Sequence, residues 1–234
     1  MLTVDNMVEP SPQQMLFIIQ GMRNPKNSWE KSDSYWLYDD FDDCDFALNS
    51  LDFALIIGPK DLDLMRRLIK AGPEHRKFLR QMWLGLRITA PLYWWKEFDT
   101  YKIGTTSNSC STMHTLMDRP FSMDMFSTEM LSGAARYQFE DLIRTLEILR
   151  QIYKSGGTFD GSQYEPKSKD VWYMIIQILP SSLNQTRNIS MNYETVLSIL
   201  NQRAGHKLHN EWLTLWEKLY YEVPYRDIYQ NLDH

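Results

Sequence analysis

Residues 82–104, MWLGLRITAPLYWWKEFDTYKIG, decide the fold class. Met82, Leu84, Leu86 and Ile88 alternate with Trp83, Gly85 and Arg87, a period of two that predicts a strand with one buried face. The pattern then changes. Thr89 reads as an N-cap and Pro91 as a first-turn proline, so a helix is expected from Thr89 to Gly104. A strand running directly into a helix, in a chain otherwise dominated by helical periodicity, predicts a helix-rich domain with a small amount of strand.

Upstream, Ser11-Pro12 opens a helix over 11–22 with Met15, Phe17, Ile18, Ile19 and Met22 as its apolar residues, and residues 23–35 read as loop. Asp39, Asp40, Asp42, Asp43 and Asp45 surround Phe41. They lack the central glycine and distal glutamate of a calcium loop, so a solvated acidic loop is expected. Asp61 to Ala71 is helical and stopped by Gly72-Pro73. Downstream, Thr105 to Thr112 (TTSNSCST) is wholly small and polar, either a surface loop or the lining of a pocket. Helices are then expected over 133–155, 165–179, 191–203 and 207–221, with Gly156-Gly157, Pro180, Gly205 and Pro224 as stops.

Composition narrows the function classes. Hydrophobic residues make up 43% of 234, enough for a sizeable core. The formal charge of −5 argues against duplex nucleic acid, although a small anion needs only a few local cations. Cys44 and Cys110 are too few for a disulfide framework or a four-cysteine zinc site. His206 and His209 lack a third ligand, so capping or exposed histidines are expected and no metal is assigned. No apolar run approaches the roughly 18 residues of a membrane span, which leads to a cytoplasmic expectation. Trp83, Trp94, Trp95 and Trp172 are candidates for stacking a base, with core or interface packing as the alternative.

Glu74 to His114 (EHRKFLRQMWLGLRITAPLYWWKEFDTYKIGTTSNSCSTMH) resembles the central region of the flavin-dependent thymidylate synthases. That family runs strand, Ala-Pro, helix, then Gln-x-x-Arg-His-Arg-x-x-Ser-x-Asn-Glu-x-Ser-x-Arg. Ala90-Pro91 matches the Ala-Pro. Thr106, Asn108 and Ser111 keep the spacing of the motif's Ser, Asn and second Ser, and His75 falls where the family often has a histidine near the flavin. Downstream, the family has Arg-x-x-Leu-Pro, an Asn, and then an Arg. Leu179-Pro180, Asn192 and Arg203 keep that spacing, with Glu211 at the position of a later Glu.

The departures are specific. Thr100-Tyr101-Lys102, or Tyr101-Lys102-Ile103 in the alternative register, replaces Arg-His-Arg. Ser109 replaces the Glu, Met113 the last Arg, Ile176 the Arg before Leu-Pro, and Glu194 an Arg two residues past Asn192. Paired, hydrogen-bonded arginines are the strong way to hold a phosphate, so their loss argues against FAD and deoxyuridylate in the family's usual arrangement.

The resemblance implies an α+β domain over residues 58–224, with helices packed around a mixed β-sheet. It is preceded by an N-terminal extension, 1–57, packed on the same domain and followed by a tail, 225–234. It further implies a homotetramer with sites between subunits. Arg203, Asn192, Ser111, Asn108, Lys102, Thr106 and His75 are the ligand-binding candidates that it carries over. Three readings follow: a binder of a nucleotide or nucleotide-like ligand, with sequestration of that ligand as one form of it; a flavin-dependent enzyme of altered substrate or cofactor use; and a structural or interaction protein.

Overall fold

The computed structural model describes residues 2–37 and 54–230. In chain order the elements are β1 (Thr3–Val8), α1 (Pro12–Arg23), β2 (Tyr35–Leu37), β3 (Ala54–Ile56), α2 (Pro59–Lys70), β4 (Trp83–Pro91) and α3 (Leu92–Phe98). There follow β5 (Thr105–Ser109), α4 (Thr112–Thr115), α5 (Gly133–Ser155), β6 (Gly157–Phe159), β7 (Ser162–Tyr164), α6 (Lys169–Ile178), β8 (Asn184–Asn192), α7 (Tyr193–Arg203) and α8 (His209–Glu217). Short 3-10 turns lie at Asn24–Lys26, Trp29–Lys31 and Lys77–Arg80. The acidic cluster Asp39 to Asp45 lies outside the described residues.

The principal sheet has the order β1-β4-β8-β5. Leu92 N–H donates to Leu183 O and Tyr193 N–H to Met82 O, each at 3.0 Å, so the two ends of β4 and β8 are paired in opposite directions. Asn192 N–H to Gly104 O and Cys110 N–H to Thr186 O, each 2.9 Å, do the same for β8 and β5. β2–β3 and β6–β7 are separate antiparallel pairs. The α+β class expected from the sequence is the class observed.

The strongest local signals hold. Ser11 Oγ accepts from Gln14 N–H and Gln14 Oε1 from Ser11 N–H, a reciprocal capping box with Pro12 at the first helical position. Helix α5 spans the expected 133–155. Along β4, Leu84, Leu86, Ile88 and Ala90 are buried, whereas Trp83 is exposed.

Three expectations need correction. Thr89 does not cap a helix. It stays in β4, and its Oγ1 pairs with Thr186 Oγ1 at 2.7 Å. β-Branched Ile88 and Thr89 favour the extended conformation, and Ala90 is held out of the α region by the proline after it, so α3 starts only at Leu92. α3 also ends at Phe98 rather than Gly104. Finally, Thr105–Ser109 is a strand rather than a loop, and the helix expected from Met191 starts at Tyr193, because Met191 and Asn192 end the strand Asn184–Asn192; neither strand alternates over its length. In both, partner strands supply the backbone hydrogen bonds that side-chain pattern does not advertise.

Two compact units partition the chain. The first comprises residues 1–4, 87–100 and 107–188. Its core is an apolar cluster in which Ile143, Leu146, Leu149 and Ile152 of α5 share a face, joined by Val171 and Ile175 of α6 and by Leu116, Phe121 and Phe126. The second comprises 5–86, 101–106 and 189–234. It buries Met15, Ile18 and Ile19 of α1, Met65 and Ile69 of α2, Val196, Ile199 and Leu200 of α7, and Trp212 and Leu215 of α8. Among the described residues no helix is long and apolar enough to cross a membrane.

Candidate functional site

Arg203 occupies the last turn of α7. Its Nε donates to Tyr101 Oη at 2.8 Å. The guanidinium lies 4.6 Å from the centre of the Trp212 ring and 5.3 Å from that of Tyr101. Trp212 is fully buried, and the His206 ring meets its edge at 5.8 Å. Such a cation is held by ring quadrupoles as well as by its hydrogen bond. It does more than offset the helix dipole, because it fastens the segment Tyr101–Ile103 to α7 and α8. His206 Nδ1 accepts from Leu208 N–H at 3.1 Å, a local capping role.

Asn192 stands at the opposite end of α7, as its N-cap. Its Oδ1 accepts from Thr195 N–H (2.9 Å) and Thr195 Oγ1 (3.0 Å). Ile103 O lies 3.1 Å from the same hydroxyl and shares its one proton with Asn192 Oδ1. Gly104 has φ +74°, and a Cβ there would fall 2.2 Å from Asn192 Nδ2, so both the turn and the close approach require glycine. Eleven residues of helix place the two ends of α7 about 16 Å apart at 1.5 Å per residue.

The cation that the resemblance places two residues past Asn192 is here an anion, Glu194, and it is matched from elsewhere. Arg76 Nε and Arg80 Nε donate to its two carboxylate oxygens at 3.2 and 2.5 Å. Hydrogen bonding to Glu194 pushes the Arg80 pKa above its ordinary value. His75 is exposed in the turn between α2 and the 3-10 turn Lys77–Arg80, beside these arginines in sequence. Sequence reasoning missed Arg76, Arg80, Tyr101 and Trp212 as partners. The one available signal was the clustering of His75, Arg76, Lys77 and Arg80 in EHRKFLR.

His75 also lines a wide groove of about 1570 Å³ formed by α1, the two 3-10 turns after it, α2 and residues 74–81. Beneath it sits a buried ion pair, Arg23 Nε to Asp61 Oδ1 at 2.6 Å. Asp61 Oδ2 accepts from Ser32 Oγ, Ser34 Oγ and the backbone N–H groups of Asp33 and Ser34. Burial pushes the Asp61 carboxyl up. The hydrogen bonds from Ser32, Ser34 and Arg23 and the guanidinium charge outweigh it and hold the carboxyl below its ordinary value. Asp33 in turn accepts from the N–H groups of Lys60 and Asp61, so the N-terminus of α2 already has its anion.

Lys102 and Thr106, also in this unit, are exposed. Asn108 and Ser111 belong to the first unit. Asn108 is an exposed residue of β5, and Ser111 Oγ caps the four-residue helix α4 by accepting from His114 N–H at 3.3 Å. In the same unit Ile176, which replaces an arginine of the family pattern, packs against the apolar core. Met113, which replaces another, is exposed. Trp94 and Trp95 are buried, and Trp95 Nε1 donates to Gln185 O at 2.9 Å, so they are core residues rather than base-stacking faces. Trp172 packs on the core as well, and Trp83 alone of the four is exposed. Among the described residues no group of three or more His, Cys, Asp or Glu is placed to hold a metal ion.

No protein-family model and no curated protein matches the sequence. Solved structures do match the fold. A crystal structure of thymidylate synthase X (ThyX) from Helicobacter pylori with FAD and dUMP aligns over 100% of both chains, with a TM-score of 0.62 and 15% identity. A second structure of the flavin-dependent thymidylate synthase ThyX of that organism, complexed with FAD and dUMP, covers 100% of this chain and 99% of that one, with a TM-score of 0.60 and 15% identity. The chain therefore has a ThyX-like fold.

Proposed function

We propose that this ThyX-like protein binds a nucleotide or nucleotide-like ligand without the flavin chemistry of the family it resembles, in the homotetrameric assembly that the resemblance implies. The observation that carries the reading is the contrast between scaffold and site. The fold matches ThyX from end to end, yet positions that the family fills with arginine have been rebuilt. Ile176 packs into the core, and Glu194 is neutralised internally by Arg76 and Arg80. Arg203, Asn192, Lys102, Thr106 and His75 are the ligand-binding candidates of one unit, and Asn108 and Ser111 those of the other.

The test is calorimetric titration of the full chain with a nucleotide panel that includes dUMP and FAD, repeated on Arg203→Ala and Arg203→Lys. The expected result is binding of at least one nucleotide by the native chain, lost in Arg203→Ala while particle size and helical circular dichroism persist. A lowered melting temperature accompanies it, because the Tyr101–Trp212 clamp loses its cation. Unchanged affinity in Arg203→Ala would sink the proposed site, and a panel with no binder would sink the reading. The flavin-enzyme alternative draws on the fold's likeness to structures holding FAD. It would be supported instead by a purified protein that is yellow with stoichiometric FAD.

A further inference from the structure

We propose that the groove between α1 and α2 is a phosphate site for nucleotides carrying two or more phosphates, with Lys26, Lys31, Lys60 and Lys77 as its cations and Trp29 as its stacking surface. The proposal rests on the nucleotide-binding reading above and goes beyond it by naming the place of the phosphates and their number.

The charge count comes first. Among the described residues six cationic side chains line the groove, against the carboxylates of Asp63 and Glu74. Arg23 is buried and neutralised by Asp61, and Arg67 pairs with Asp63 at 2.8 Å. The four lysines are left facing Glu74. All four are exposed, and none makes an ion pair among the described residues. This surplus stands on a chain whose net charge is −5. Four like charges around one cleft repel one another and focus an attractive potential on a compact anion. A phosphate monoester carries about −1.5 to −2 at neutral pH, which falls short of the surplus of four lysines over one carboxylate. A diphosphate comes closer to balancing it.

The open groove, about 1570 Å³, has room for a nucleoside diphosphate. Four flexible ammonium groups suit a chain of phosphates that presents no single fixed geometry, where a guanidinium fork would suit one planar oxyanion pair. Trp29 adds a surface for the base. Its Nε1 donates to Asn24 Oδ1 at 2.7 Å, which pins the ring, and 48% of the residue stays exposed. The first turn of α2 is already capped by Asp33, so the phosphates would be held by the lysines rather than by the helix end.

The experiment is isothermal titration of the full chain with the mono- and diphosphates of adenosine and uridine and with pyrophosphate. It is run on the native protein, on a variant combining Lys26→Gln, Lys31→Gln, Lys60→Gln and Lys77→Gln, and on Trp29→Ala. The native chain should bind the diphosphates about tenfold or more tighter than the monophosphates, in line with charge-assisted contacts. The fourfold variant should lose about a hundredfold or more in diphosphate affinity with its melting temperature kept, because all four side chains are exposed. Trp29→Ala should weaken the nucleotides and spare pyrophosphate. Equal affinity for mono- and diphosphates overturns the proposal. So does a fourfold variant that binds like the native chain, and in that case the nucleotide-binding reading stands. Failure of every phosphate compound to bind overturns both.

Discussion

The two compact units are built on different physics. The first is held by apolar burial between α5, α6 and the segments packed on them, and Arg150 is its one buried charged residue among those described. Arg150 is paired with Glu147 at 2.7 and 2.8 Å and donates to Met117 O, stapling the segment before Phe121 to α5. The second unit buries Arg23, Asp61, Asn192 and Thr195, holds Arg203 between two rings and places Glu194 between two arginines. Apolar burial is non-directional and tolerates small shifts. A buried polar network stabilises one geometry and penalises the others, because each group left unmatched costs more than it contributed. The unit with the polar interior is also the one that carries the groove and most of the candidate site.

Breaking the Arg23–Asp61 pair is the most severe way to test that contrast. Arg23→Met roughly keeps the volume but strands a buried carboxylate, and is expected to cost about 3–5 kcal/mol in urea denaturation. The double substitution Arg23→Met/Asp61→Leu should recover only part of it, because the Ser32, Asp33 and Ser34 donors then lose their acceptor. A single variant within about 1 kcal/mol of native, the range of an exposed pair, would show that the second unit is not organised by its polar interior.

A smaller effect is expected at the α7 cap. Asn192→Ala removes the acceptor for Thr195 N–H and Oγ1 and should cost about 1–2 kcal/mol, measured as a shift in urea midpoint, whereas Asn192→Asp should retain the cap. Stability unchanged in Asn192→Ala would show that this cap does not organise the start of α7.

The last effect is confined to acid pH and lies in the first unit. Hydrogen bonds from Arg150, then those from Phe121 N–H and Gln151, outweigh burial and lower the Glu147 pKa from 4.5 to about 2. A depressed carboxylate pKa means that its contribution is complete above the ordinary value. It is lost as pH falls from 4.5 towards about 2. The melting temperature of Glu147→Gln should therefore fall less steeply than that of the native chain across that window, and parallel curves would remove Glu147 as an acid-sensitive staple.

Several elements were written into contiguous sequence. Ser11-Pro12 with Gln14 specifies the start of α1, Gly156 the end of α5, and Met82 to Ile88 the face of β4, because helix caps, glycine stops and strand alternation act within a few residues. The spacing of Asn192 and Arg203 was legible too, and it places them at opposite ends of one helix. What each does was decided by residues far away in the chain. Tyr101 and Trp212 hold Arg203, Arg76 and Arg80 take up Glu194, and Asp61 receives Ser32 and Ser34. β5 and β8 lie beyond local reading for the same reason. A strand of Asn, Gln, Thr and Ser has no periodicity to show, and it becomes a strand only when neighbours remote in sequence supply its hydrogen bonds. The groove is the clearest case, since its four lysines come from three separate segments of an acidic chain and only the tertiary structure brings them to one surface.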